Sequence, residues 1–251
     1  MYRLNVLIAC EESQAICKEF RRLGHNAFSC DLQDCSGGHP EWHIKKDVTS
    51  LLNHCGMSFL TQDGELQFVF KWDLIIAHPP CTYLSIAATR SYSFKCSPVG
   101  KVHERMKKRD EAAKFFYQFV NCTNCNHIAI ENPVGYMTTL YGLKKADQII
   151  HPYMFAESID DEVNYTKKRT CLWLYGLPKL ISNNGLEEPN VAKMYGKWSD
   201  GTNRSWTENR HGSVKRSKTF PGIAKSMAEQ WSAYLLKESY NSNESEVRTN
   251  V

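Results

Sequence analysis

Trp72-Asp73-Leu74-Ile75-Ile76-Ala77-His78-Pro79-Pro80-Cys81 joins a short apolar run to a rigid polar turn. The apolar part, Trp72–Ala77, is flanked by turn residues and reads as a strand buried inside a parallel sheet. Four other segments have the same character: Asn5–Ala9, Asn26–Cys30, His127–Ile130 and Cys171–Trp173. Between the first two lies Ser13–Leu23, a helix closed by Gly24. A long amphipathic helix covers Glu104–Phe119, with Ala112, Phe115, Phe116 and Phe119 on one side. The order of these elements is that of an α/β protein with a doubly wound, mostly parallel, Rossmann-like sheet.

This core occupies residues 1–179. Residues 180–218 are rich in Asn, Gly, Ser and Trp and show little periodicity, so they read as a short irregular insertion. A last helix, Gly222–Lys237 within the 219–237 segment, carries Ile223, Met227, Trp231 and Leu235 at core spacing and is expected to pack back on the sheet. The polar tail 238–251 is expected to be disordered.

In an open parallel sheet, ligands bind outside the carboxyl ends of the strands. There the chain places Cys81 after one strand and Glu131-Asn132 after the next, while Lys167-Lys168-Arg169 precedes the last. Two prolines before Cys81 fix the backbone and remove amide donors, which holds the thiol in a rigid turn. A thiol at such a place can gain thiolate character from backbone dipoles. A buried Glu131 is expected to have a raised pKa and to protonate or hydrogen-bond a ring nitrogen. The plainer alternative is that Cys81 is one of ten small core cysteines and Glu131 a helix cap.

Pro80-Cys81 followed by Ser85 resembles the catalytic Pro-Cys motif of the cytosine-C5 DNA methyltransferases. Glu131-Asn132-Pro133 is similar to their Glu-Asn-Val motif, and Arg169 stands where the family has a base-contacting arginine. Arg109-Asp110 and the phenylalanine-rich helix resemble the segment that joins the two motifs. The likeness runs through residues 4–177, with a weaker match at Thr219–Trp231, and is nearest to the short phage-type methyltransferase-like proteins. It implies a methyltransferase-type sheet, S-adenosylmethionine as cofactor, DNA or a free cytosine nucleotide as substrate, and covalent addition of Cys81 to C6 of cytosine. It further implies cofactor contacts from Cys10, Glu11, Glu12, Ser13, Asp31, Asp47, His78 and Pro80. Substrate contacts would come from Ser85, Asn132, Arg204 and Arg210, with Cys81, Glu131 and Arg169 as the catalytic set.

Two features depart from that pattern. The turn after the first strand, Cys10-Glu11-Glu12-Ser13-Gln14, contains no glycine, although nucleotide-binding turns use glycine to let the backbone approach the ligand. Glu12 and Ser13 there also suit capping of the following helix. The insertion is short for a domain that reads a DNA sequence, although Trp198, Trp206, Arg204, Arg210 and Lys215 mix aromatic and basic residues. A nucleotide-binding protein that does not transfer methyl groups is therefore the rival reading.

Composition narrows the remaining classes. The net charge of +4 permits nucleic-acid binding without requiring it, and the run Lys101, Arg105, Lys107, Lys108, Arg109 suits either a solvated helix face or phosphate contacts. Ten cysteines without a secretion signal read as free thiols in a cytoplasmic protein. Cys122 and Cys125, and the group Cys30, Cys35, His39 and His43, have spacings compatible with zinc, but both sets read better as packing and loop residues, so no metal is expected.

Overall fold

The computed structural model of the chain describes residues 2–182, 184–190, 196–197, 199–202 and 218–249. Its strands are β1 (Asn5–Ala9), β2 (Asn26–Asp31), β3 (His43–Lys45), β4 (Met57–Leu60), β5 (Leu66–Val69), β6 (Leu74–Ala77), β7 (Ile128–Asn132), β8 (Gln148–Ile150) and β9 (Thr170–Tyr175). Seven of them form the main sheet in the order β3-β2-β1-β6-β7-β9-β8, while β4 and β5 form a separate hairpin. The helices are α1 (Ala15–Arg22), α2 (Thr49–Leu52), α3 (Val99–Val120), α4 (Tyr136–Tyr141) and α5 (Pro221–Thr249).

Residues of the central strands alternate between two cores, as side chains on a pleated strand must. Leu7, Ala9, Ile75, Ala77, Ile128 and Ile130 face α2, α3 and α4 through Leu51, Phe116, Phe119 and Met137. Val6, Ile8, Leu74, Ile76 and Ala129 face α1 and α5 through Ile16, Phe20, Met227 and Trp231. Helices cover both faces, so β6 and, after Asn5, β1 are apolar throughout and carry no alternation in sequence. The fold is α/β and doubly wound, with β1, β2, β3, β6 and β7 parallel.

The strand expected at Cys171–Trp173 exists, but it is not parallel. β9 runs antiparallel to both β7 and β8. The link from β8 to β9 holds one short 3-10 turn, Pro152–Phe155, and no crossover helix. A parallel return needs a crossover of a dozen or more residues, usually helical, so the chain turns back at the same edge. This correction matters for the site. Leu172 lies opposite Glu131 and Cys171 opposite Asn132, so the start of β9 sits beside the carboxyl end of β7. A parallel strand would have put Lys167-Lys168-Arg169 at the far edge.

The C-terminal helix is also longer than expected. α5 continues past Lys237 to Thr249, through the segment read as a disordered tail. Residues 238–249 contain neither proline nor glycine to stop a helix. Glu238 is moreover tied to the body of the protein, accepting from Tyr234 Oη at 2.5 Å and pairing with His127 Nε2 at 3.0 Å. Within the insertion, Leu180 is buried and exchanges two hydrogen bonds with the Gln148 side chain. Trp198, Arg204, Trp206, Arg210 and Lys215 lie outside the described residues. Among the described residues no helix is long and apolar enough to cross a membrane.

Trp231 is fully buried under the sheet and its Nε1 donates to the Pro178 carbonyl at 3.0 Å. Trp231→Ala is expected to cost about 3–5 kcal/mol, seen as a lower midpoint in urea unfolding.

Candidate functional site

β6 ends at Ala77, and His78-Pro79-Pro80-Cys81 turns the chain off the sheet edge. Proline carries no amide hydrogen, so this turn can be held only through its carbonyls and its flanks. The buried Asn132 side chain, at the end of β7, donates from Nδ2 to the Pro79 carbonyl at 2.7 Å. The Cys81 carbonyl accepts from the amides of Leu84 and Ser85 at 3.1 and 3.0 Å, closing a tight turn with the Cys81 side chain exposed. Next, the segments after the two motifs are joined: Tyr136 N donates to Leu84 O at 2.8 Å and Ile86 N to Val134 O at 3.2 Å. A Cβ on Gly135 would stand 2.1 Å from Leu84 O, so this approach admits glycine alone. Ser85 uses its hydroxyl to accept from Ala87 N and start the following 3-10 turn.

Glu131 and His78 form a buried pair, Oε2 to Nδ1 at 3.0 Å, with side chains 18% and 9% exposed. Burial alone would push the Glu131 carboxyl up. The hydrogen bond and charge of His78, with the charge of Lys168, outweigh it and hold the carboxyl below its ordinary value. The expectation of a raised pKa is therefore corrected: Glu131 is a carboxylate, because a histidine that sequence reading placed among cofactor contacts sits against it. The charge of His78 also reaches Glu11, which is 4% exposed. Its oxygens accept from the amides of Ile16 at 2.7 Å and Cys17 at 3.3 Å, so Glu11, rather than Glu12 or Ser13, caps α1. Burial drives the Glu11 carboxyl up, and His78 and the two amides only partly oppose it.

In the glycine-free first loop Cys10 and Gln14 themselves adopt left-handed backbone, with φ of 60° and 57°. Gly37 packs directly on this loop: a Cβ there would lie 2.5 Å from Gln14 Cβ and 2.6 Å from Ser13 O. Gln14 is fully buried and exchanges two hydrogen bonds with the His39 backbone. Glu12 accepts from Ser36 N at 2.8 Å and also from the Ser36 hydroxyl, which in turn takes a bond from Lys218 Nζ at 3.0 Å. The segment Ser36–His39 thus lies over the first loop.

Asp31, ending β2, uses Oδ1 on the Gln33 amide at 2.9 Å. Asp47, two residues past β3, accepts from Thr49 N and Oγ1, and these bonds hold its carboxyl low. Cys10 lies among them: burial pushes its thiol up, and the charges of Asp31, Cys30 and Asp47 add to the rise. Arg169 is exposed, and the cation whose field reaches Glu131 is its neighbour Lys168, which also lies 5.6 Å from the centre of the Phe220 ring. Sequence reading missed Lys168 as a separate participant; its only signal was membership of the basic triplet. Arg204 and Arg210 lie outside the described residues.

The basic run on α3 divides. Arg105 and Arg109 lean on the rings of Tyr83, Tyr92 and Tyr136 near the Cys81 turn, whereas Lys108 pairs with Glu104. Residues weighed as metal ligands have other partners: His43 bonds to Ser29 and Gln33, His39 to Glu41, Cys30 to Lys46 O, Cys122 to Leu52 O and Cys125 to His127 O. Among the described residues no group of three His, Cys, Asp or Glu is gathered for a metal. A cleft of about 540 Å³ between α5 and the 154–157 segment lies apart from this edge and includes neither Cys81 nor Glu131.

No protein-family model matches the chain. No curated protein matches it either. A solved structure of an Entamoeba histolytica methyltransferase, EhMeth, is similar to it at 14% identity and a TM-score of 0.42. That likeness covers 80% of this chain and 64% of the other, so the chain spans just under two thirds of that protein's length.

The two buried carboxyls should act oppositely on stability. Glu131 has a depressed folded pKa, so it stabilises above the ordinary glutamate pKa of about 4.3 and loses that contribution as pH falls. Glu11 has a raised one, so its contribution is present below about 4.3 and is lost as pH rises. In urea unfolding across pH 3–8, the wild-type advantage over Glu131→Gln is expected to shrink toward acid, and that over Glu11→Gln toward neutral pH; parallel curves would contradict the assignment.

Proposed function

We propose that the chain transfers a methyl group to C5 of cytosine, in DNA, through covalent addition of Cys81 to C6. The observation that carries this reading is the pair of ties between β6 and β7. Asn132 on Pro79 and Glu131 on His78 seat an exposed thiol and a buried carboxylate at neighbouring strand ends. That placement supports addition to a flat ring lying between them, with a base in duplex DNA flipped out to reach it.

Cys81 attacks C6, forming the Sγ–C6 bond, while the C5–C6 π pair moves onto C5. Glu131 accepts a hydrogen bond from the exocyclic amine and, once water has protonated the electron-rich ring at N3, a second from N3–H. Asn132 acts through Pro79, holding the Cys81 turn. Lys168 puts positive charge beside the pair, and the neighbouring exposed Arg169 is suited to a phosphate or the base carbonyl. Once the C5 pair has formed its bond to the transferred methyl group, loss of the C5 proton re-forms the C5–C6 double bond and expels the Cys81 thiolate.

The residues at the β1, β2 and β3 ends fit S-adenosylmethionine. Asp31 retains an oxygen beyond its Gln33 bond for a ribose hydroxyl, Asp47 lies close by, and the buried Nε2 of His78 has no partner among the described residues. Cys10, Glu11, Glu12, Ser13 and Pro80 would complete that wall. Bound there, the cofactor would supply an electrophilic methyl group.

The rival reading, a nucleotide-binding protein without methyl transfer, is favoured by one feature. Ser36–His39 packs directly on the first loop, with Gly37 against Ser13 and Gln14. An oligonucleotide containing 5-fluorocytosine separates the two readings, because fluorine cannot leave as a proton does. With S-adenosylmethionine present, the wild type is expected to form a stable adduct seen by mass spectrometry, Cys81→Ala none, and Glu131→Gln adduct at a rate lower by about 10²–10⁴. Binding of the oligonucleotide with no adduct and no methyl group transferred, both read by mass spectrometry, would support the rival.

A further inference from the structure

Asn132 holds the chain before the Cys81 thiol from β7; the chain after the thiol is held from α3. Three successive carbonyls past Cys81 are each taken by a group farther along the chain. Thr82 O accepts from Arg105 Nη2 at 3.0 Å, Tyr83 O from Tyr92 Oη at 2.7 Å and Leu84 O from the Tyr136 amide at 2.8 Å. Arg105 lies in the first half of α3, and its guanidinium stands 5.0 Å from the centre of the Tyr83 ring and 5.2 Å from that of Tyr92. Arg109, one helical turn on, stands 4.6 Å from Tyr92 and 5.2 Å from Tyr136. Rings and guanidinium groups thus alternate from the Cys81 turn to the segment after Glu131, in the order Tyr83, Arg105, Tyr92, Arg109, Tyr136. Arginine suits such a series because its flat group covers a ring face while donating in its own plane, which a lysine ammonium cannot do.

Arg105 is the member that reaches from α3 to the turn itself. Among the described residues no carboxylate pairs with it, and its neighbour Glu104 pairs with Lys108 instead. Its Nε is buried with no hydrogen-bond partner among the described residues. A half-buried cation with no counter-ion and an orphaned nitrogen is a poor device for stability alone. What it touches, two rings and one carbonyl, belongs entirely to the segment that follows the thiol.

We propose that Arg105 is a positioning residue for Cys81, fastening residues 82–92 to α3 so that the thiol turn is set before substrate arrives. Its effect on rate rests on the cytosine reading above; the fastening itself rests on the contacts just given. With Asn132 on Pro79 O and Arg105 on Thr82 O, Cys81 sits between two anchored carbonyls. A nucleophile has to meet its target atom at about 3–3.5 Å, and a displacement of about 1 Å can cost about 10²-fold in rate.

The test compares the full-length wild type with Arg105→Ala and Arg105→Lys, each first checked for cooperative unfolding in urea. Alanine is a strong helix former, so the truncated variant is expected to fold. Amide hydrogen exchange without substrate or cofactor reads the fastening. In Arg105→Ala, peptides covering 82–92 are expected to exchange about tenfold faster, while those of β1 and β6 do not change. Unchanged exchange at 82–92 overturns the proposal. The 5-fluorocytosine oligonucleotide with S-adenosylmethionine reads the effect on Cys81. At saturating oligonucleotide, Arg105→Ala is expected to form adduct about 10²-fold more slowly with its Kd within about twofold of wild type. Arg105→Lys, which keeps a donor for Thr82 O but not the stack, should recover part of that rate. A wild-type rate in Arg105→Ala overturns the proposal. So does a weakened Kd with the saturated rate intact, which would make Arg105 a contact to the nucleic acid. Faster exchange in Arg105→Ala with no adduct from the wild type would keep the fastening and remove the cytosine chemistry. Adduct from the wild type with exchange unchanged in Arg105→Ala would do the reverse.

Discussion

Ala77 lies opposite Ala9 on one side and Ile130 on the other, and this parallel register of β6 between β1 and β7 sets the position of every group at the candidate site. Parallel strands in register end together, so the turns that leave them emerge side by side. The Glu11 loop, the His78–Cys81 turn and the Glu131-Asn132 pair are those three turns. Slipping β6 by one residue would exchange its two faces, exposing Leu74 and Ile76 to the wrong core. The full burial of all four β6 residues makes such a slip very unfavourable.

On that frame, the polar groups hold one another. Proline at 79 and 80 leaves the thiol turn with few ways to be fastened, and Asn132 supplies one through a carbonyl. Gly135 supplies another by letting the segment after Glu131 lie against Leu84. The two motifs are therefore mechanically one unit. The two carboxyls also differ electrically: at Glu11 burial dominates and raises the pKa, whereas at Glu131 the direct hydrogen bond and charge of His78, with Lys168, outweigh burial and lower it.

The first loop is shaped by contacts from distant residues. Nucleotide-binding turns carry glycine where backbone must approach a ligand. This loop instead bends at Cys10 and Gln14, and Gly37 lets a distant segment fold back over it. Gln14, unremarkable in a helix N-terminal stretch, turns out to be fully buried and to hold that segment by its amide. No local pattern announces a contact between residues 14 and 39.

What the residues settle unaided is local. Short apolar runs such as Leu74–Ala77, bounded by prolines or polar turns, have one way to bury themselves, which is inside a sheet covered on both faces. The paired motifs at 78–81 and 131–132 follow from their places after such runs, and the periodicity around Trp231 marks a packed helix. What the tertiary structure decided depends on contacts between segments far apart in the chain. The antiparallel sense of β9 comes from a link without a crossover helix, and it alone brings Lys168 to Glu131. The low pKa of Glu131 comes from a histidine 53 positions away, where burial by itself would have raised it. Charge state is set by the sum of burial and neighbours, and neighbours exist only once the chain has folded.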